Sequence, residues 1–319
     1  MAPVRSRIGV LICCVLVVGG CADDTARTTP AAPATSPGAG TSGVAADHDR
    51  GLVQAGYTGR FRVGATVLQK GDGDGGRPAL CTSMATSLPP RCGGPAIVGW
   101  DWDAVPHETL SGVRWADGVT LTGHFDGSVF TLTEPPVVHG TSAGPTPSAT
   151  PEDQRPSTPC PTPSGGWRVV DRSKVTQQAF GRGVERARGL PGFGGVWIDY
   201  RGAPPSGEPG VEPDLVRAVM NVTTTSTDFA AVEKALRADW GGALCVRRAA
   251  HSYAELRQIQ ETLTALMAEQ GLQGIGVDEE AGRVDVTAQV ATIDQQRRFD
   301  EDYGVGLVRL SGIYWPLDQ

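Results

Sequence analysis

The chain is poor in lysine, in aromatic side chains and in long apolar runs, and each shortage excludes something. Lysine stands only at positions 70, 174 and 234, and the net charge is −7. No basic stripe is present, which argues against nucleic acid as a partner. Aromatics make up 6% of the residues, whereas Gly (43) and Pro (24) are plentiful. That balance suits loops, β-turns and tethers more than one large enzyme core. The histidines at 48, 107, 124, 139 and 251 share no metal-ligand spacing. No phosphate loop or dinucleotide fingerprint occurs, and nothing calls for a cofactor. The longest apolar run, Ile8 to Val18, has 11 residues, too short to cross ~30 Å of hydrocarbon.

That run nonetheless organises the rest. Arg5 and Arg7 precede it and Val18-Gly19-Gly20-Cys21 closes it, so residues 1–20 read as a signal peptide. The small residues before Cys21 resemble the lipobox of bacterial lipoproteins, with Val18 in place of the commoner Leu. The resemblance implies cleavage before Cys21 and a diacylglyceryl anchor on it. The protein would then sit on the extracytoplasmic face of the cell membrane, in a host of actinobacterial type.

Cysteine arithmetic follows. Cys13 and Cys14 leave with the signal and Cys21 carries the lipid, so Cys81, Cys92, Cys160 and Cys245 remain in an oxidising space. Of three pairings, Cys81–Cys92 and Cys160–Cys245 are preferred, one within each folded region. The short closure is worth about 3 kcal/mol and the longer about 4–5 kcal/mol.

Composition divides the mature chain further. Residues 21–50 have almost no large apolar side chains and read as a disordered tether. Residues 51–138 carry short β-type runs, with Asp117-Gly118 and Asp126-Gly127 as hairpin dipeptides. This predicts a small all-β, barrel-like domain of OB-like type. Residues 139–166 form a Pro/Ser/Thr-rich linker. Residues 167–319 alternate strands and helices and predict an α+β sandwich of ferredoxin-like type. Phe229, Val232, Leu236 and Trp240 share a helical face that opens at Asp228. Ser252-Tyr253-Ala254-Glu255 is a capping box before Leu256, Ile259 and Leu263, and Thr292 to Gln295 is a second candidate.

Two resemblances attach to these regions. The Leu80-Cys81, Ser87-Leu88-Pro89-Pro90-Arg91-Cys92-Gly93-Gly94 and Gly99-Trp100-Asp101-Trp102 segments resemble stretches of uncharacterised secreted actinobacterial proteins. From Ser252 to Leu310 the αββαβ order is similar to a BON domain, with Ala288 where that family has a glycine; the resemblance implies contact with phospholipid or other envelope components. The same segment also resembles the pro-region of secreted serine proteases, which binds its protease as a folding aid.

Candidate chemistry is sparse. Gly140-Thr141-Ser142-Ala143-Gly144 matches G-x-S-x-G in form, but it lies in the linker with Pro145 after it, where a strand–turn–helix is implausible. Gly71 to Gly76 has two alternating aspartates but lacks the further ligands of a calcium loop, so it reads as a turn. His124 near Asp126 reads as structural. Trp100 and Trp102, joined by Trp115, could form a stacking platform for a sugar or peptide, if Trp100–Asp103 is extended. The expectation is a non-enzymatic, lipid-anchored envelope protein that binds a protein or cell-wall component. The alternatives are a glycan- or small-solute-binding lipoprotein using the tryptophans, and an enzyme without a recognisable motif.

Overall fold

A computed structural model describes residues 50–71, 76–139, 156–200 and 214–318. Cys21, most of the 21–50 tether, residues 72–75 of the Gly/Asp turn and the Gly140–Gly144 motif lie outside the described residues. The first strands are β1 (Leu52–Val53), β2 (Phe61–Lys70), β3 (Ala79–Cys81), β4 (Ala96–Val98), β5 (Glu108–Leu110), β6 (Val113–Phe125), β7 (Val129–Leu132) and β8 (Val137–Val138). Strands β2, β3, β4, β7 and β6 pair in that order, and β6 pairs back onto β2, which closes a five-stranded barrel. Every neighbour in the ring is antiparallel except β4 and β7. Phe61, Val63 and Val67 alternate inward from β2 and meet Leu80, Ile97, Val119, Leu121 and Phe130 in the barrel core.

One expected turn is a bulge instead. Asp117-Gly118 lies inside β6, where the register with β2 shifts between Ala65 and Val67. Gly118 has φ +62, and the Asp117 carboxylate accepts from the Thr66 hydroxyl at 2.6 Å. The extra residue bends a long strand, as barrel closure requires. Asp126-Gly127 is the turn into β7.

The 167–319 region contains two sheets rather than one. Helix α1 (Gln177–Arg188), β9 (Phe193–Asp199), β10 (Val219–Thr224), α2 (Phe229–Leu236) and β11 (Ala243–Arg248) make one unit. Helix α3 (Tyr253–Ala265), β12 (Leu272–Asp278), β13 (Arg283–Ala288), α4 (Ile293–Tyr303) and β15 (Val308–Gly312) make another, with β14 (Ala291–Thr292) and β16 (Trp315–Pro316) as short additions. Both units run αββαβ. In each sheet the middle strand pairs antiparallel with the strand before it and parallel with the strand after α2 or α4.

The likeness extends to single residues. The register slips at Thr223/Thr224 in the first unit and at Leu272/Gly274 in the second, so one residue, Gly194 or Gln273, is left unpaired at the same point of each hairpin. Thr224 and Ala288, the helix caps Asp228 and Thr292, and the strand residues Leu244 and Val308 stand at one constant offset of 64 positions. An internal repeat with no gap across its β-α-β portion accounts for that.

Helix α1 is not among the helices expected from the sequence. Its buried residues are Ala179, Gly183 and Ala187, because the sheet side supplies the bulk: a Cβ on Gly183 would lie 2.9 Å from Met220 Cε and 3.5 Å from Trp240 Cβ. Helix α3 carries its full capping box, with the Ser252 amide donating to the Glu255 carboxylate at 2.6 Å and the Glu255 amide to Ser252 Oγ at 3.3 Å.

Both disulfides are present, Cys81–Cys92 and Cys160–Cys245, each with Cα atoms 5.9 Å apart. The second pins residues 157–160 across the first repeat's sheet. Trp197 Nε1 donates to the Ser157 carbonyl at 2.8 Å, Thr158 Oγ1 to Asp199 at 2.7 Å and Arg247 to the Pro159 carbonyl at 3.1 Å. Beneath this strap Val219, Ala243 and Cys245 pack with Trp167, while Met220 and Val222 face the helices.

Candidate functional site

The three tryptophans singled out by the sequence do not share a surface. Residues 99–107 are a loop, not a strand, and Trp100 and Trp102 turn inward over one end of the barrel beside Val105. Their rings meet edge to face at 5.3 Å, and Trp102 meets His107 at 5.1 Å. Trp102 Nε1 donates to Gln69 Oε1. Trp100 Nε1 is buried with no partner among the described residues. Trp115 is 5% exposed and packs on Leu68, Cys81 and Cys92 in a separate cluster. The tryptophans plug one barrel end and support a disulfide.

The opposite end of the barrel is closed by residues from the far end of the chain. Tyr314 has no exposed surface. Its ring meets Phe61 at 6.1 Å, Phe125 at 5.1 Å and Phe130 at 5.6 Å, all inside the barrel. Burial pushes its phenol well above the ordinary tyrosine range, while a 2.8 Å hydrogen bond from Gln289 Nε2 opposes that shift. β16 extends the barrel sheet by pairing with Phe61 and Arg62. β1 does the converse and pairs in parallel with Ala291 and Thr292. Because successive side chains on a strand point oppositely, Leu52 enters the core of the second repeat and Val53 the core of the barrel.

Where these pieces meet there is a cavity of about 580 Å³, within the range of small-molecule sites. Val53, Tyr57, Phe61, Phe125, Val129 and Val290 give it apolar walls, and His124, Asp126 and Thr292 stand among its polar groups. His124 Nδ1 lies 3.0 Å from the Thr58 carbonyl oxygen, so Nδ1 carries the proton in the neutral ring and Nε2 is left as an acceptor. Asp126 is committed to its own turn: the amides of Val129 and Ser128 and the Ser128 hydroxyl donate to it at 2.7, 2.8 and 2.9 Å. Those bonds, the Val129 amide first, hold its carboxyl below the ordinary aspartate range. His124 and Asp126 therefore line one site without forming a proton relay.

No family model matches this chain, and no curated protein matches it. The junction cavity thus stands on geometry alone. Among the described residues no group of three or more His, Cys, Asp or Glu is placed to hold a metal ion, and no helix is long and apolar enough to cross a membrane. Sequence reasoning missed the cavity because its walls come from segments as far apart as Val53 and Val290. The signal available in the sequence is His124, for which the expectation is a structural role.

Proposed function

We propose that the chain is a lipid-anchored binding protein of the outer face of the cytoplasmic membrane, not an enzyme, and that the junction cavity receives the apolar part of an envelope component. The carrying observation is the aromatic and aliphatic wall beside one imidazole whose Nε2 is free to accept a hydrogen bond. Asp126 is committed to its own turn and forms no dyad with His124, which supports binding over catalysis. Attachment rests on the Val18-Gly19-Gly20-Cys21 segment.

The ring order, with its single parallel pair β4–β7, supports an OB-type barrel. A single ferredoxin-like sandwich gains less support than two BON-like modules, because each αββαβ repeat has its own three-stranded sheet with a parallel outer pair. A glycan platform is less favoured, since Trp115 is buried away from the other two indoles.

Two measurements test the reading. Mass spectrometry of the membrane fraction should find a lipidated Cys21, and Cys21→Ser should release soluble protein. The soluble form should bind the apolar probe 1-anilinonaphthalene-8-sulfonate saturably, and Val129→Trp, which fills the cavity, should weaken that binding about tenfold. Binding that is indifferent to Val129→Trp overturns the site.

A further inference from the structure

The junction cavity is chemically one-sided. Its lining grades with exposure: Val53 and Phe61 are buried, Tyr57, Phe125 and Val129 half-buried, and His124 and Asp126 exposed. A molecule with an apolar tail and a polar head fits that gradient in one direction, head outward, because the tail gains from burial and a charged head loses by it.

The head is selected by the groups that the open side leaves unpaired. The His124 ring is held by two carbonyls, with Nδ1 3.0 Å from Thr58 O and 3.3 Å from Gly59 O, so Nε2 faces the site as an acceptor. The three donors that reach Asp126 all bond to Oδ1, so Oδ2 keeps its capacity to accept, and those bonds keep the group ionised. The Tyr57 hydroxyl is committed on both sides: it donates to the Arg60 carbonyl and accepts from the Asp318 amide, each at 3.1 Å. Among the described residues that line the cavity there is no lysine or arginine. Arg60, which closes the 54–60 segment, gives its guanidinium to Asp318 at 3.1 Å and to Glu134 at 2.7 Å. The threonine hydroxyls of the wall serve either way.

The groups of fixed character are therefore both acceptors, and one of them is an anion. A carboxylate or phosphate head would face Asp126 with no cation to offset it. An alcohol brings one donor for two acceptors. A primary ammonium brings three N–H donors and the charge that matches Asp126, and the aromatic walls suit a cation as well.

We infer that the cavity selects an amphiphile with a primary ammonium head, its alkyl chain against the apolar walls and its N–H groups donating to His124 Nε2 and Asp126 Oδ2. This selection presupposes the junction cavity as the binding site proposed above and adds the class of ligand.

The test uses the soluble Cys21→Ser chain near neutral pH, where an alkylamine is protonated and an alkanoate ionised. The probe 1-anilinonaphthalene-8-sulfonate enters by its rings, so its own binding reports on the apolar walls. Its displacement by n-decylamine, n-decanol and n-decanoate then compares three heads on one kind of tail. The amine should bind at least about tenfold more tightly than the alcohol, and the decanoate should bind most weakly. Asp126→Asn, which keeps an oxygen for the turn and removes the charge, should erase the preference for amine over alcohol, and His124→Phe should reduce it. The comparison of heads needs no substitution in the cavity, so it decides the matter even if a variant misfolds. An amine that binds no better than the alcohol or the decanoate, or a preference that survives either substitution undiminished, overturns the selection and leaves the cavity as the site. A probe that does not bind, or binds indifferently to Val129→Trp, overturns both.

Discussion

Tyr314 belongs by position to the last repeat and by contact to the barrel, and replacing it separates the two descriptions. Tyr314→Ala removes a fully buried aromatic side chain, a change that costs about 3–5 kcal/mol in packed cores. It also removes edge contacts with Phe125 and Phe130 and a tilted contact with Phe61, aromatic pairs being worth about 0.5–1.5 kcal/mol each beyond area burial. The expected loss is therefore at the upper end, about 5 kcal/mol, a large part of the 5–15 kcal/mol that holds a typical domain. Tyr314→Phe keeps the ring contacts and deprives only Gln289 Nε2 of its acceptor, for about 1–2 kcal/mol. Urea unfolding of the soluble Cys21→Ser protein measures the totals, and native-state hydrogen exchange says where the loss falls. Exchange should speed up in β6 and β7 of the barrel. A cost for Tyr314→Ala below about 1.5 kcal/mol, or faster exchange confined to β12, β13 and β15, would refute the assignment of this ring to the barrel core.

Other consequences are as direct. Replacing Cys160 and Cys245 by Ser should cost up to about 4–5 kcal/mol and release the strap, so exchange should rise in β10 and β11 while the barrel keeps its protection. Asp239 is held below its ordinary value of 3.8, first by the hydrogen bond from Arg186, and the Ser252 amide holds Glu255 below 4.5. A carboxyl with a depressed folded-state value stabilises the fold fully above its ordinary value and loses that contribution as pH falls through the folded one. Urea midpoints should therefore hold down to the ordinary carboxylate range and drop below it, and Asp239→Asn should shrink the drop. Gly183→Leu should lower stability by about 1–3 kcal/mol through overpacking against Met220 and Trp240, read as a fall in Tm; an unchanged Tm would mean that α1 does not approach the sheet this closely.

What was legible in the sequence follows from how each element is stabilised. Helix α3 announces itself because Leu256 and Leu263 face the core and Ser252 and Glu255 cap it. Helix α1 is faint because its apolar face, Ala179, Phe180, Gly183, Val184 and Ala187, has helical spacing but small residues at the buried positions in an otherwise polar segment, so the sequence reading begins the first repeat at its strands and takes one sandwich for both. The barrel strands showed through alternation on β2 and β6, but a bulge at Asp117-Gly118 uses the same dipeptide as a turn. A shared face for Trp100 and Trp102 requires an extended Trp100–Asp103; the chain bends there instead, and both indoles seal the barrel end. β1 and β16 have two residues each, too few for any period to register, and they are the strands that tie the barrel to the second repeat.

Those two short strands give the junction cavity a consequence that a pocket within one module lacks. Its wall includes Val53 from β1, Phe61 from β2 and Val290 from the link between β13 and β14. β1 sends Leu52 into one core and Val53 into the other, while β16 hydrogen-bonds to the start of β2. A molecule seated there contacts the barrel core together with Val290 and Thr292 from the β13–β14 link, and leaves if the barrel or that link opens. By mass action, a ligand at one hundred times its Kd adds about 2.7 kcal/mol to every opening that destroys its site. Saturating the cavity should therefore slow exchange by about a hundredfold in β7 of the barrel and from Val290 to Thr292 of the second repeat alike, for amides that exchange through those openings. Sheet β9–β10–β11 contributes no residue to the cavity wall and should respond less. Protection confined to the barrel would mean that β1 and β16 are loose attachments, and the two cores would then be separate bodies joined by chain alone.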